Sequence, residues 1–263
     1  MLDLIIIGDK GGSRIKPLYS LLLNDNRFSV KICSPVFLTS FSDSKIKSSG
    51  FDVEKSTIYS LRKLSLAEIG CALAHNNARE YLSKKEFGGI ILEDDARIVD
   101  IDYFYSAAKN FLELTQVAAL LNMSTSLISE ELDYEPIWKI NMRKQKTYTS
   151  LSVGYALNKL GAESLSSTAH RFFSVADWPY AKISKYTLTY PAITHGDAFS
   201  ASIIDPNGTL NRSSSTLKNR LMLFSFYYYF QNRKTFESIQ EFIIVMIIPR
   251  LRFFAKKLIN FDF

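Results

Sequence analysis

The sequence predicts an α/β fold built on a mostly parallel central sheet, and three observations carry that expectation. Short apolar strands alternate with helical patterns through the first 205 residues, the arrangement that puts helices against a parallel sheet. One strand, Ile90-Ile91-Leu92, is apolar at every position, as strands covered on both faces are. That strand ends in three consecutive acids, Glu93, Asp94 and Asp95, at the carboxyl end where open α/β sheets place their ligands. With 263 residues, 47% of them hydrophobic and 22% charged, the chain has the length and composition to bury a substantial core.

Taken in order, Leu4 to Ile7 reads as the first strand, followed by a glycine-rich turn and a helical pattern at Leu18, Leu21 and Leu22. Phe28 to Cys33 is a second short strand. Ser65 begins a helix, and Glu68 three residues later completes a capping box in sequence. That helix runs to about Leu82, and Gly88-Gly89 breaks the chain before the strand Ile90 to Glu93. Residues 101–114 read as helix and Ala118 to Asn122 as strand. Leu151 to Leu157 is a further strand, with a helix from Lys159 to Thr168. Val175 to Pro179 is a turn or helix start, Tyr186 to Tyr190 a strand, and His195 and Asp197 fall in a loop.

The composition changes near Asp205-Pro-Asn-Gly208, and Ser213 to Ser215 leads into a basic tail. Residues 1–205 are therefore expected to form the catalytic domain, and 206–263 a linker and a basic amphipathic helical tail. From residue 210 onward, nine Lys or Arg face three acids, so this segment carries the whole net charge of +6. A neutral body argues against general nucleic-acid binding. The two cysteines, Cys33 and Cys71, make no disulfide framework and fit a reducing compartment. The N-terminus lacks a basic lead-in and reads as a strand rather than a signal peptide. No run reaches the roughly 18 apolar residues of a spanning helix. The expected location is cytoplasmic, with the tail at the inner face of the inner membrane: Tyr227-Tyr228-Tyr229, the apolar run Phe242 to Ile248 and the Arg-, Lys- and Phe-rich segment Arg250 to Phe261 suit an anionic membrane surface. The other reading of the tail is a helical subdomain packed on the core.

The chemistry concentrates between residues 64 and 98. Alternate acids such as Glu93 and Asp95 suit a hard divalent cation, which in turn holds a diphosphate. Asp94, adjacent in a strand, is expected to point the other way. The bland reading makes all three solvated acids at a strand end, although three neighbouring anions repel one another unless donors or a cation neutralise them. Gly70, Cys71, Ala72 and Ala74 make a helix face of little bulk, suited to close packing against the sheet or to a nucleotide lying on it. Gly11-Gly12-Ser13-Arg14-Ile15-Lys16-Pro17-Leu18 is similar to the phosphate-cradling loop of sugar-nucleotide pyrophosphorylases, and places Arg14 near phosphates after the first strand.

Glu68, Gly70, Cys71, His75, Glu93, Asp94 and Asp95 together resemble the central motif of the family-25 glycosyltransferases that extend bacterial lipooligosaccharide. Val153-Gly154-Tyr155-Ala156-Leu157 with Gly161-Ala162-Glu163, then Val175-Ala176-Asp177, resemble its second block. The resemblance implies a GT-A-like, Rossmann-related fold and an inverting transfer of a hexose from a UDP-sugar, most simply UDP-galactose, with Mn²⁺ or Mg²⁺. It implies Glu93 and Asp95 at the metal, with Asp95 also catalytic through the leaving diphosphate. Arg14, His75 and Asp94 would line the donor pocket, and Asp177 would be the general base on a hydroxyl of a lipid-linked oligosaccharide acceptor. Asp177 is equally suited to capping a helix, Trp178 to stacking on a sugar or filling core, and His75 to a structural hydrogen bond. His195 stands where the family often has Gln, so its role is open. The competing function classes are a nucleotidyltransferase, which would release pyrophosphate, and a membrane-associated carbohydrate-binding protein without cation-dependent turnover.

Overall fold

The computed structural model describes residues 1–60, 63–124, 142–144, 153–166, 176 and 183–196. The chain divides into two compact units, Met1–Arg212 and Ser213–Phe263, and all described residues belong to the first. Its elements, in order, are β1 (Leu2–Ile7), α1 (Ile15–Leu23), β2 (Phe28–Cys33), α2 (Ser44–Ser48), α3 (Val53–Ser60), α4 (Leu66–Leu82), β3 (Gly88–Glu93), β4 (Ala96–Ile98), α5 (Ile101–Leu114), β5 (Ala119–Asn122), β6 (Met142–Lys144), β7 (Gly154–Asn158), α6 (Lys159–Leu165), β8 (Ser184–Leu188) and β9 (Ile193–His195).

Seven strands form one sheet in the order β2-β1-β3-β7-β5-β8-β6. The pairs β1–β2, β1–β3 and β5–β8 are parallel, while β7 runs against β3 and β5, and β6 against β8. Five of these seven strands thus share a direction, so the fold is α/β on a mostly parallel sheet with two reversed strands. After β1 the chain moves outward to β2, then returns to the other side of β1 as β3. This reversal is a topological switch point, which opens a crevice at the carboxyl ends of β1 and β3. The register closes those ends together, with Ile7 opposite Glu93.

Strand alternation sends side chains to two cores. Leu4, Ile6, Ile90 and Leu92 pack with Ile15, Leu18 and Leu22 of α1 and Phe104, Ala108 and Phe111 of α5. Ile5, Ile7, Ile91 and Leu157 pack on the other face with Ala74, Ala78 and Leu82 of α4 and Ala162 and Leu165 of α6. A third small core joins α4 to residues 46–64 through Ile46, Phe51, Leu64, Ile69 and Leu73.

Local chemistry explains the element ends. The capping box read at Ser65 is present: its hydroxyl accepts from the Glu68 amide at 3.2 Å, and the Glu68 carboxylate accepts from the Ser65 amide at 2.9 Å. Gly88 takes φ +88°, and a Cβ there would lie 2.1 Å from the Leu157 carbonyl, so only glycine starts β3 this close to β7. Buried Asn158 caps α6 through the Gly161 amide at 2.8 Å, accepts from the Ala119 amide at 3.0 Å and donates to the Thr115 carbonyl at 2.8 Å. One amide side chain thereby ties β7 and α6 to the entrance of β5.

Several sequence expectations shift by a few residues. The helix expected to about Thr168 is described over Lys159–Leu165 and the strand expected over Leu151 to Leu157 over Gly154–Asn158, while Leu151, Ser152 and Thr168 lie outside the described residues. The strand expected over Tyr186 to Tyr190 runs instead from Ser184 to Leu188. His195 was expected in a loop but lies on β9, which pairs antiparallel with β4 in a separate two-stranded ribbon. Three-residue strands of mixed polarity leave no period-2 signal.

Candidate active site

The site grows from the carboxyl ends of β1 and β3. Beyond Ile7 the chain passes through Gly8, where an added Cβ would stand 2.6 Å from the Asp94 Cβ. The missing side chain at Gly8 is what allows the acid turn to sit directly on the end of β1. Asp94 and Asp95 lie in the tight turn between β3 and β4 rather than on the strand. Strand alternation therefore does not separate them, and both carboxylates reach one guanidinium. Arg14 Nη2 donates to Asp95 Oδ2 at 2.5 Å and lies 3.3 Å from Asp94 Oδ1. The expectation that Asp94 points away from Asp95's surroundings is corrected by that turn.

The β4–β9 ribbon supplies a fourth member. Ala96 pairs with His195, and the Gly196 amide donates to the Asp95 carbonyl at 2.7 Å. This pairing holds His195 Nε2 3.5 Å from Asp95 Oδ2. Residues 14, 94, 95 and 195, far apart in sequence, thus share one crevice.

Burial raises the proton affinity of both aspartates. For Asp95, burial acts first and Glu93 adds to it, against His195 and Arg14, which lower it. For Asp94, burial again leads, Arg14 opposes it, and Asp95 and Glu93 push it further up. The site is thus short of positive charge despite its arginine. Among the described residues no hydrogen-bond donor reaches Asp95 Oδ1, which is buried. A buried carboxylate oxygen with no donor fits a divalent cation, and Asp95 has the His195 imidazole 3.5 Å from its other oxygen and shares Arg14 with Asp94.

Glu93 turns to a second group of residues. Its Oε1 lies 3.2 Å from His75 Nε2, and His75 Nδ1 lies 2.9 Å from the Tyr155 hydroxyl. The His75 and Tyr155 rings stack at 5.8 Å with planes 16° apart. Arg79 Nε donates to the same hydroxyl at 3.1 Å, and Arg79 Nη2 donates to the Ala176 carbonyl at 3.2 Å. His75 and Arg79 are buried, and burial pushes the Tyr155 phenol up to about 12. Cys71 joins at the edge: its sulfur, a His75 nitrogen and a Glu93 oxygen lie within 4.8 Å of one another.

The geometry separates the remaining sequence candidates. Glu68 is the cap of α4. Gly70 serves packing: a Cβ there would meet the Val36 carbonyl at 2.1 Å, so the segment after β2 lies against the helix. In the glycine turn, the Gly12 amide donates to the Asp9 carbonyl at 2.9 Å and the Gly11 amide to Asp9 Oδ1 at 3.1 Å. Two amides that a pyrophosphorylase-type loop would offer to a phosphate are thus engaged by Asp9, leaving Arg14 as that loop's contribution to the crevice. Asp177 and Trp178 lie outside the described residues, although the neighbouring Ala176 is described and buried. Arg79 escaped the sequence reading because its polar neighbours Asn76 and Glu80 make it look like a solvated helix position. Its only signal was its place one turn after His75 on α4.

No curated protein matches the chain. Among solved structures it is similar to A197 from STIV, at 16% identity over 73% of this chain and 83% of that one, with a TM-score of 0.37. Residues 25–178, more than half of the sequence, match the family described as glycosyltransferase family 25, LPS biosynthesis protein. That span contains the capped α4, the acid turn after β3 and the β7–α6 block, and with them the His75–Glu93 contact: this chain is a member of glycosyltransferase family 25.

Proposed function

We propose that this glycosyltransferase moves a hexose, galactose in the simplest case, from a UDP-sugar to a hydroxyl of a lipid-linked lipooligosaccharide acceptor, with inversion and with Mn²⁺ or Mg²⁺ as cofactor. The observation that carries the reading is the buried, unpartnered Asp95 Oδ1 at the switch point, beside Arg14 and His195. Glu93 and Asp95 would hold the cation, with Asp94 beside Arg14 and His195 3.5 Å from Asp95. When bound, the cation supplies charge neutralisation for the departing diphosphate.

The chain's own groups account for the rest. Arg14 binds the diphosphate and is oriented by the two aspartates. The turn is partly buried, so electrostatic contacts to the anionic end of the donor would be stronger there than in open water. Asp177, directly after the buried Ala176, takes the proton of the attacking hydroxyl. A GT-A-like architecture agrees with the parallel β2-β1-β3 edge followed by reversed β7. No helix among the described residues is long and apolar enough to cross a membrane. We infer that the enzyme works on the cytoplasmic face, held peripherally by its basic tail.

Incubating the full chain with a panel of UDP-sugars and Mn²⁺ tests the reading, since slow donor hydrolysis releases UDP without an acceptor. UDP release from one donor, abolished by chelation and reduced roughly 10²-fold or more by Asp95→Asn, is the expected result. With acceptor present, Asp177→Asn should abolish transfer while leaving UDP-sugar binding largely intact. Pyrophosphate release from a nucleoside triphosphate would make it a nucleotidyltransferase. Cation-independent sugar binding without turnover would make it a binding protein.

A further inference from the structure

We propose that Arg79 is a positioning residue for both halves of the transfer site, acting through a one-way hydrogen-bond relay that runs Arg79, Tyr155, His75, Glu93. The inference rests on the glycosyltransferase reading of the acid turn and gives a role to Arg79 and Tyr155, which that reading does not use.

The direction of the relay follows from what each group is able to donate. A guanidinium only donates, so Arg79 Nε–H points at the Tyr155 oxygen, 3.1 Å away. At the other end an ionised carboxylate only accepts, so the His75 Nε2 that lies 3.2 Å from Glu93 Oε1 carries the proton. In a neutral imidazole the other nitrogen then has a lone pair. The Tyr155 hydroxyl, which burial keeps protonated, donates to that Nδ1 at 2.9 Å. Each of the three contacts then has one donor and one acceptor, with a buried cation at one end and the carboxylate at the other. His75 is thereby fixed as the Nε2–H tautomer, and Glu93 is held in one orientation beside Asp94 and Asp95. The stacking of the two rings at 16° leaves the imidazole little room to rotate.

The second arm of the same guanidinium reaches the Ala176 carbonyl at 3.2 Å, the residue immediately before Asp177. Arg79 is 3% exposed, so both arms work away from competing water. One planar fork thus contacts both the hydroxyl that leads to the Glu93 carboxylate and the backbone carbonyl of the residue before Asp177. A lysine keeps the charge but offers one point donor instead of a fork, and it is expected to satisfy only one arm.

The test uses the full-length protein labelled with ¹⁵N-histidine, whose three histidines give a resolvable set of imidazole signals. His75→Gln identifies the His75 resonances. The expected wild-type signature is a neutral Nε2–H ring in a single state, and Tyr155→Phe should convert it to a mixture of tautomers. Mn²⁺ affinity, read by the free-ion EPR signal, should weaken about 5- to 10-fold in Tyr155→Phe and in Arg79→Lys, in line with the loss of an outer hydrogen-bond partner. The kcat of UDP-galactose hydrolysis at saturating Mn²⁺ should stay within about 2-fold for Tyr155→Phe and fall at least tenfold for Arg79→Lys, because only the latter also releases Ala176. An Nδ1–H ring in wild type, or wild-type tautomer and Mn²⁺ affinity in Tyr155→Phe, would overturn the relay. Unchanged kcat in folded Arg79→Lys would overturn the second arm. If Asp95→Asn binds Mn²⁺ as wild type does, the cation reading of the acid turn fails instead, while the tautomer still decides the relay.

Discussion

Asp95 is held in a state that is costly without a cation. Burial and Glu93 raise its affinity for a proton above the ordinary value of 3.8, and Arg14 and His195 only partly offset this. A carboxyl with raised folded-state affinity keeps its proton in the fold longer than in the unfolded chain. Its penalty is absent below 3.8, builds as pH rises through the raised range, and is complete above it. Asp95→Asn, which mimics the neutral form, is therefore expected to raise the Tm of the chelator-treated protein at neutral pH, and the gain should vanish as pH falls toward the ordinary aspartate range. Calorimetry across pH checks this; a lower Tm at neutral pH would mean that the Arg14 contact outweighs burial. Gly70→Ala is a second case at this scale. Its Cβ would meet a backbone carbonyl at 2.1 Å, so a loss of roughly 1–3 kcal/mol is expected from denaturant titration. Asp94, Asp95 and Arg14 were legible in sequence because charge at a strand end and after a glycine turn has few other uses. Tyr155 and Arg79 were not, since a strand tyrosine and a helical arginine read as packing and solvent until the fold encloses them.

Among the elements, α1, α4, α5 and most strands of the main sheet were visible, four-residue β5 included, while α2, α3 and the three-residue strands were not. α4 announced itself through Ser65 and Glu68, and Ser65→Ala should cost about 1 kcal/mol by removing the cap on the Glu68 amide. α5 spans Ile101–Leu114 as its periodicity predicts, started by Asp100, whose carboxylate accepts from the amides of Asp102 and Tyr103. β4 and β9, three residues each, take their shape from each other rather than from any local preference. Yet they set the position of His195. Gly196 is the tight point of that ribbon: a Cβ would lie 2.7 Å from the Asp95 carbonyl and 3.3 Å from Arg97 Cζ. Gly196→Ala should push β9 off the acid turn and weaken Mn²⁺ binding roughly tenfold, as expected for a disturbed support of a ligand, with little change in Tm. Titration calorimetry with Mn²⁺ measures the first and thermal unfolding the second; equal Mn²⁺ affinity would remove His195 from the site.

At the scale of the whole molecule, sequence located the charge asymmetry but not what it does, because an amphipathic pattern fits a membrane and a protein core alike. Each basic residue near an anionic surface contributes about 1 kcal/mol, which caps the electrostatic part for the tail's net +6 at roughly 6 kcal/mol. Replacing Arg250, Arg252, Lys256 and Lys257 by Gln in the full chain should abolish salt-sensitive co-sedimentation with phosphatidylglycerol liposomes while leaving UDP release intact. A wild-type protein that stays in the supernatant at low salt would assign the tail to the fold. The β4–β9 ribbon has a further consequence during synthesis. Asp95 leaves the ribosome 100 residues ahead of His195, a gap of about 5–20 s at ordinary elongation rates. Through that interval the acid turn has Arg14 but not yet His195, so on the proposed reading a divalent cation captured early would be held without an imidazole beside it. On the proposed cation reading, the imidazole joins the turn only once β9 pairs with β4.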